Sequence, residues 1–366
     1  MIQSSTLVIS ECGKSWQCTW VQVPLSVFAV SLGLSYLIVA TKKYHGQITL
    51  DQSHGIQKIH NTPTPRVGGV GIFFALVVVA FALRLESTLY SNFVIALIPA
   101  FSAGLIEDLT KRVNPGTRLF AILLSGVSAY FLTGYRLSEI GISLIDPLFS
   151  ILWFSVVFSA FAVAGVANAF NIIDGCNGLA GFTAKISFLG ILLVALRAED
   201  MQIAHISLIF SAATLGFICL NWPGGRLFLG DGGSYAIGFA IGWLALMLVE
   251  RNSQVSPFAG LLVCIYPITE VLFSIVRRHA RNHNATSPDR LHMHSLLGRR
   301  YVNRWFSSKS TVARNSITGI SMAVISLPST FLVQYVYNST LACLALCLMF
   351  VMAYVLLYRR MVRFRW

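Results

Sequence analysis

At 366 residues, 55% hydrophobic and only 11% charged, with a mean hydropathy of +0.71, the chain falls outside the ordinary soluble and disordered classes. Its apolar runs approach the ~20 residues that a helix needs to cross hydrocarbon. The net charge of +13 is explained below by membrane topology and attraction to anionic lipid headgroups, so no nucleic-acid partner is expected.

The first predicted span is Val21 to Ala40. It is long for a signal-peptide core and follows a segment whose only basic residue is Lys14, so it reads as a retained helix. The next are Val67 to Leu83, Phe93 to Ile106, Leu119 to Leu132 and Pro147 to Ala167. Phe182 to Leu196, Ile203 to Leu220, Tyr235 to Val249, Phe258 to Val276, Ile317 to Tyr335 and Leu341 to Tyr358 complete the series. The expectation is an all-α polytopic membrane protein of about eleven transmembrane helices, with residues 1–366 as a single domain. The seven cysteines lack metal-type spacing; Cys12 and Cys18 could pair only if that end faces an oxidising compartment.

Alternate connections differ sharply in charge. One side carries 21 of the 27 Lys and Arg residues, which makes it cytoplasmic, with the amino terminus outside and the carboxyl terminus inside. The unusual polar stretches all fall on that side, where any active site is expected.

In "GLIEDLTKR", Glu107 and Asp108 are adjacent acids, followed one helical turn later by Lys111 and Arg112. A solvated helix end with local charge pairs is one reading; a functional acid pair is the other. In "NAFNIIDGCNGLAG", Asp174 stands among Asn168, Asn171 and Asn177 without any Lys or Arg, a set suited to gripping a base or sugar edge. In "FLGDGGS", Asp231 lies between glycines just before an apolar helix. A charge at the bilayer centre costs ~2.5–3.5 kcal/mol on insertion scales. Either Asp231 caps the helix, or it holds Mg²⁺, a hard cation that takes one or two carboxylates together with substrate phosphates.

"SPDRLHMHSLL" supplies Arg290, His292 and His294, without a third ligand at zinc spacing. With Lys58, His60 and Arg66 from the first loop they would form a phosphate-neutralising rim. Acids for Mg²⁺ and cations for phosphate at one membrane face are what phosphoryl transfer between a lipid phosphate and a soluble diphosphate needs.

With "PTPRVGGVGIF", "NAFNIIDGCNGLAG", "FLGDGGS" and "PDRLHMH" in this order, the chain from about Lys58 to Leu297 resembles the polyprenyl-phosphate N-acetylhexosamine-1-phosphate transferase family. That family includes enzymes that begin O-antigen, enterobacterial common antigen and teichoic acid synthesis, and the related peptidoglycan lipid I enzyme. The resemblance implies attack by undecaprenyl phosphate on the phosphorus next to the sugar of a UDP-N-acetylated sugar, with UMP released and Mg²⁺ required; Mn²⁺ is an admissible substitute. It implies that Asp231 is the principal metal ligand with Asp108 as a second, and that Glu107 and Asp108 are the paired acids, one handling the lipid phosphate and one assisting the metal. It further implies that Asn171, Asp174 and Asn177 line the nucleotide site, and that Arg290, His292 and His294 meet the diphosphate or sugar. "HMHS" favours the N-acetylhexosamine branch, and the implied setting is a bacterial inner membrane, where a homodimer is allowed but not required. Two positions depart from the family pattern: Glu107 stands where members usually carry Asp, and Asn177 where they often carry an acid. The alternative from another class is a transporter, with Asp231 as a coupling-ion site in a broken helix.

Overall fold

The computed structural model describes the backbone of residues 3–51, 63–82, 87–280 and 291–363, and the side chains of 20–51, 63–81, 87–280 and 291–363. The side chains of Cys12 and Cys18 lie outside the described residues.

The chain opens with α1 (Gln3–Ala40) and the short α2 (Lys42–Thr49). A two-residue antiparallel pair, β1 (Leu50–Asp51) and β2 (Thr64–Pro65), leads into α3 (Gly68–Ala82). Next come α4 (Thr88–Ala96), α5 (Ile98–Thr110), α6 (Pro115–Thr133), α7 (Asp146–Phe149) and α8 (Leu152–Ile173). The central part is α9 (Leu179–Arg197), α10 (Met201–Asn221), α11 (Gly230–Arg251), α12 (Pro257–Val263) and α13 (Ile265–His279). The rest is α14 (Met293–Leu297), a π turn at Gly298–Val302, α15 (Asn303–Trp305), α16 (Thr311–Ala323), α17 (Leu327–Val336) and α18 (Thr340–Arg363).

Each of the eleven expected apolar segments falls on one of these helices or on a consecutive pair, but not all of them span alike. Among the described residues nine helical stretches are long and apolar enough to cross a membrane, α4 with α5 and α16 with α17 each acting as one. The Phe258 to Val276 segment is instead α12 and α13, bent by 81° at a break. Cys264 leaves the helical conformation there, and the two halves have different environments. The inner face of α13 is polar, with Thr269, Glu270, Ser274 and Arg277 buried, whereas Leu272, Ile275 and Val276 are exposed. The remaining segment is the shorter apolar stretch Gly68–Phe81.

The helix α11 is the axis of the fold. Every residue from Gly230 to Val249 is buried, with α3, α5, α8, α9, α10 and α12 packed around it. Lipid tails are as apolar as leucine, so helices associate in a membrane through close packing, which small residues allow. A Cβ on Gly104 of α5 would stand 2.5 Å from the Asp231 carbonyl carbon, and one on Gly238 of α11 would stand 2.7 Å from Ala167 Cα. Backbone therefore lies against backbone on two sides of the axis.

Gly104→Ala forces α5 away from α11 and is expected to lower stability by about 1–3 kcal/mol. Gly33→Ala, where an added methyl meets nothing within 4 Å inside helix α1, should leave it unchanged or raise it by up to about 1 kcal/mol, alanine being the better helix former. Thermal unfolding of the two variants in detergent compares them; equal midpoints would contradict the close-packed axis.

Candidate active site

Two sequence motifs are joined along their backbones at one end of α11. The Phe228 amide donates to the Pro65 carbonyl at 2.8 Å, and the Gly68 and Gly69 amides donate to Phe228 and Leu229 at 2.8 and 2.9 Å. The Arg66 amide donates to Thr49 at 2.9 Å, so this arginine projects from a segment fixed on both sides. At the junction Gly230 has φ +78°, and a Cβ there would lie 2.5 Å from Asp108 Oδ2. Glycine is required both by the left-handed backbone and by that approach.

Helix α11 begins at this junction with its first amides lacking helical partners. Asp108, at the end of α5, accepts from the Asp231 and Gly232 amides, each at 2.9 Å, one through each carboxylate oxygen. A carboxylate at a helix N-terminus is favoured by the aligned peptide dipoles as well as by the hydrogen bonds. Both oxygens being engaged this way, Asp108 fixes the backbone that carries Asp231, a different task from the metal ligand expected of it.

The Asp231 carboxylate, only 4% exposed, has three partners from three other elements. Arg66 donates to Oδ1 at 2.5 Å, Arg118 donates to Oδ2, and the Asn171 amide donates to Oδ1 at 3.0 Å. Asn171 also donates to Ser234 Oγ at 2.9 Å, which orients it. A buried acid of this kind is tolerated because it is paired and hydrogen-bonded. The capping role weighed for Asp231 is taken by Asp108. Burial opposes the charge on Arg66, but Asp231, Asp108, Asp174 and Asp51 outweigh it, and its pKa is raised above the ordinary value.

Arg118 was not singled out in the sequence; there it counted only as topology charge. Local structure delivers it. The left-handed Lys111 ends α5, Asn114 accepts from the Thr117 amide at 2.8 Å, and Pro115 occupies the first turn of α6. Glu107 Oε2 accepts from the Val113 amide at 2.8 Å and pins this turn. Half-buried Glu107 thus helps to return Arg118 to Asp231, and the structure does not place it against Asp231 beside Asp108. Lys111 points elsewhere, 3.7 Å from Asp51, and is half-exposed.

Asp174 closes α8 as its C-terminal cap. Burial pushes its carboxyl up to about 7, with Arg66 opposing and Asp231 reinforcing the shift. Asn177, expected at the nucleotide, is instead a buried clasp. Its side-chain amide donates to Ser316 Oγ at 3.1 Å and its backbone amide donates to Asn315 Oδ1 at 3.2 Å. An amide in place of an acid suits this position because the Ser316 hydroxyl of α16 gives its proton to the Pro223 or Val312 carbonyl and is left to accept from residue 177.

His292 and His294 are buried and their rings stack at 5.5 Å, 2° from parallel. A Cβ on Gly175 would lie 2.6 Å from His294 Nε2, so the histidine segment rests on the Asp174 loop. Behind it is a second acid that the sequence reading passed over: Glu270, 1% exposed, whose Oε1 lies 2.9 Å from His292 Nδ1. An acid inside the apolar run Phe258 to Val276 was the available sign. Lys58, His60 and Arg290 lie outside the described residues.

At the opposite end of α11, Asp200 accepts from Arg251 Nε at 2.6 Å and from Asn252 at 3.1 Å. These residues line a cavity of about 510 Å³ with Tyr135, Glu199, Met201 and Gln202, and it contains none of the motif residues. The motif acids therefore gather at one end of the bundle. The transporter alternative expected Asp231 in a broken helix, whereas the described break, 81° between α12 and α13, lies elsewhere and Asp231 opens the continuous helix α11.

The family model described as Glycosyl transferase family 4 matches residues 90–249. The chain is 30% identical over 252 residues, 68% of its length, to an undecaprenyl-phosphate alpha-N-acetylglucosaminyl 1-phosphate transferase of Thermotoga maritima, of which it covers 72%. It belongs to the polyprenyl-phosphate N-acetylhexosamine-1-phosphate transferase family. A probable undecaprenyl-phosphate N-acetylglucosaminyl 1-phosphate transferase of Bacillus subtilis is 29% identical over 74% of this chain and 76% of its own. A Yersinia pestis undecaprenyl-phosphate alpha-N-acetylglucosaminyl 1-phosphate transferase is 27% identical over 82% of each chain. The matched block runs from α4 to the end of α11, so this family member carries Asp108, Arg118, Asn171, Asp174 and Asp231 within it, whereas Arg66, Glu270 and the histidines lie outside.

Asp108→Asn turns an N–H₂ donor toward one of the two α11 amides. The mismatch should cost about 1–3 kcal/mol, read as a lower thermal midpoint in detergent. An unchanged midpoint would show that Asp108 does not hold the start of α11.

Proposed function

We propose that this protein transfers an N-acetylhexosamine-1-phosphate from a UDP-sugar to undecaprenyl phosphate and releases UMP, the first lipid-linked step of a cell-envelope polysaccharide. The observation that carries this reading is the Asp231 carboxylate held between Arg66, Arg118 and Asn171 at the N-terminus of a buried helix. Family membership and the relatives' printed activities support sugar-1-phosphate transfer to a polyprenyl phosphate. The distribution of basic residues supports a site facing the cytoplasm with the amino terminus outside, and in our reading the membrane is a bacterial inner one.

Phosphoryl transfer demands positioning and charge stabilisation more than covalent help from the protein. In our reading Arg66 and Arg118 hold phosphate oxygens and Asn171 orients Asp231. The acceptor oxygen attacks the phosphorus next to the sugar; the new diphosphate bond forms as the bond to the UMP oxygen breaks. A phosphate monoester is largely ionised at neutral pH, with a second pKa of about 6, so the acceptor needs no strong base. Asp108 and Glu107 accordingly serve as fixed supports, for the start of α11 and for the turn that carries Arg118.

The residues suit Mg²⁺. Asp231 and Asp174 provide carboxylates, and among the described residues no group of three or more His, Cys, Asp or Glu is arranged around one point. A few hard oxygen donors completed by substrate phosphates are the Mg²⁺ pattern, which Mn²⁺ can also use. Asp231 would hold the ion, with Asp174 beside it. When bound, the ion neutralises charge on the diphosphate.

Membranes containing the protein, undecaprenyl phosphate, Mg²⁺ and UDP-GlcNAc are expected to release UMP only when the lipid is present. Asp231→Asn should reduce that rate by at least about 10²–10³-fold. Release of UDP would mean glycosyl transfer and would overturn the mechanism; a wild-type protein that releases neither nucleotide with any UDP-N-acetylated sugar would overturn the function.

With the Asp174 carboxyl near 7, raising the pH from about 6 to 8 removes its proton and adds negative charge beside Asp231. The Mg²⁺ concentration for half-maximal rate should therefore fall as pH rises, and Asp174→Asn should flatten the dependence. A wild-type requirement independent of pH would remove Asp174 from the ion's surroundings.

A further inference from the structure

Glu270 is almost completely buried on α13 and belongs to none of the motifs that define the site. Its carboxylate has three partners. Oε1 lies 2.9 Å from His292 Nδ1 and accepts from the Met293 amide at 3.2 Å, and Oε2 accepts from the Tyr354 hydroxyl of α18 at 2.8 Å. An ionised carboxylate only accepts hydrogen bonds, and the other two partners donate to it. The proton between Glu270 and His292 therefore sits on Nδ1, and Nε2 is the opposite end of a ring whose orientation is set.

A second set of bonds keeps the same backbone in place. Arg277, two turns further along α13, donates to the Leu291 carbonyl at 2.5 Å and to the Tyr358 hydroxyl at 2.6 Å, and Ser274 Oγ lies 3.3 Å from His292 Nδ1. Met293, between the two histidines, is fully buried. The bend between α12 and α13 is what brings this polar face beneath the histidine segment, which in turn lies on the Asp174 loop through His294 and Gly175. Such an arrangement exceeds what holding two helices together requires, because apolar packing would do so without a buried charge.

We propose that Glu270, supported by Tyr354, is a positioning residue that fixes the proton on Nδ1 of His292 and so presents the Nε2 end of the ring to the UDP-sugar beside Asp174. The inference rests on the sugar-1-phosphate transfer proposed above and adds to it a residue outside the recognised motifs. Outer carboxylates behind functional histidines act in the same way at metal centres, where they fix tautomer and orientation.

The test uses the full-length protein in membranes with undecaprenyl phosphate, Mg²⁺ and UDP-GlcNAc, measuring UMP release. Glu270→Gln keeps the shape and, with its carbonyl oxygen held toward the Met293 amide, replaces the charged acceptor behind Nδ1 by a weaker neutral one. It should lower kcat/KM for UDP-GlcNAc by about 10- to 100-fold and leave the KM for undecaprenyl phosphate within about twofold. Because Glu270 acts through His292, the Glu270→Gln, His292→Gln double variant should be no worse than His292→Gln alone. Losses that multiply in the double variant, a KM that rises equally for both substrates, or a Glu270→Gln rate within about twofold of wild type would each overturn the proposal. If Glu270→Gln cannot be isolated folded, Tyr354→Phe decides. It removes one bond to Glu270 without touching the histidine and should lower kcat/KM for UDP-GlcNAc by about 3- to 10-fold, an unchanged value refuting the idea. A wild-type protein that releases no UMP shows, before any variant is made, that the transfer reading has failed and this inference with it.

Discussion

The site depends on the grip of Asp108 on the first amides of α11. The helix is buried from Gly230 to Val249, so amides at its start cannot be left to water, and one carboxylate takes two of them. In doing so it fixes the main chain that bears Asp231. Without a set backbone, the carboxylate of Asp231 could not meet Arg66, Arg118 and Asn171 together, because those groups come from three separate elements. The glycines around it follow from the same requirement. Gly230 must turn through a positive φ beside Asp108, and Gly104 must let α5 approach the Asp231 backbone.

Under the proposed transfer, two arginines facing one buried acid make a site whose charge would be redistributed when a phosphate and a cation enter together. Arg66, 37% exposed along its side chain, reaches both Asp231 and Asp108, whereas Arg118 is more enclosed at 18%. The enclosed arginine is carried by a capped helix start, and the more open one by a strand-like segment hydrogen-bonded to the loop before α11. Both are thus held at the backbone, which matches the need of phosphoryl transfer for charges placed in advance.

Much of the site could be read from the linear order of residues. Asp231 stood out as a charge beside an apolar helix, Asp174 and Asn171 as polar residues just past an apolar run, and the two histidines as part of the largest basic segment. Arg118 did not stand out, because an arginine near a helix start on the basic side is already explained by topology. Asn177 misled for the opposite reason: an amide in a loop reads as a ligand group until its buried partners, Ser316 and Asn315, are seen to lie some 140 residues away. Glu270 lay inside a run read as one straight span; only the 81° bend turns its acid inward beneath His292.

The sequence by itself determined that this is a helical membrane protein and singled out Asp231 as an acid beside an apolar run, because transfer of a charge into such a run is costly enough to demand a reason. It also marked the places where backbones must approach, through glycine. The tertiary structure alone decided what each acid does. Asp108 and Asp231 share a residue type and nearly the same depth of burial, yet one holds a helix start and the other faces two guanidinium groups. That division depends on contacts between elements more than a hundred residues apart, which neither helical periodicity nor local spacing encodes.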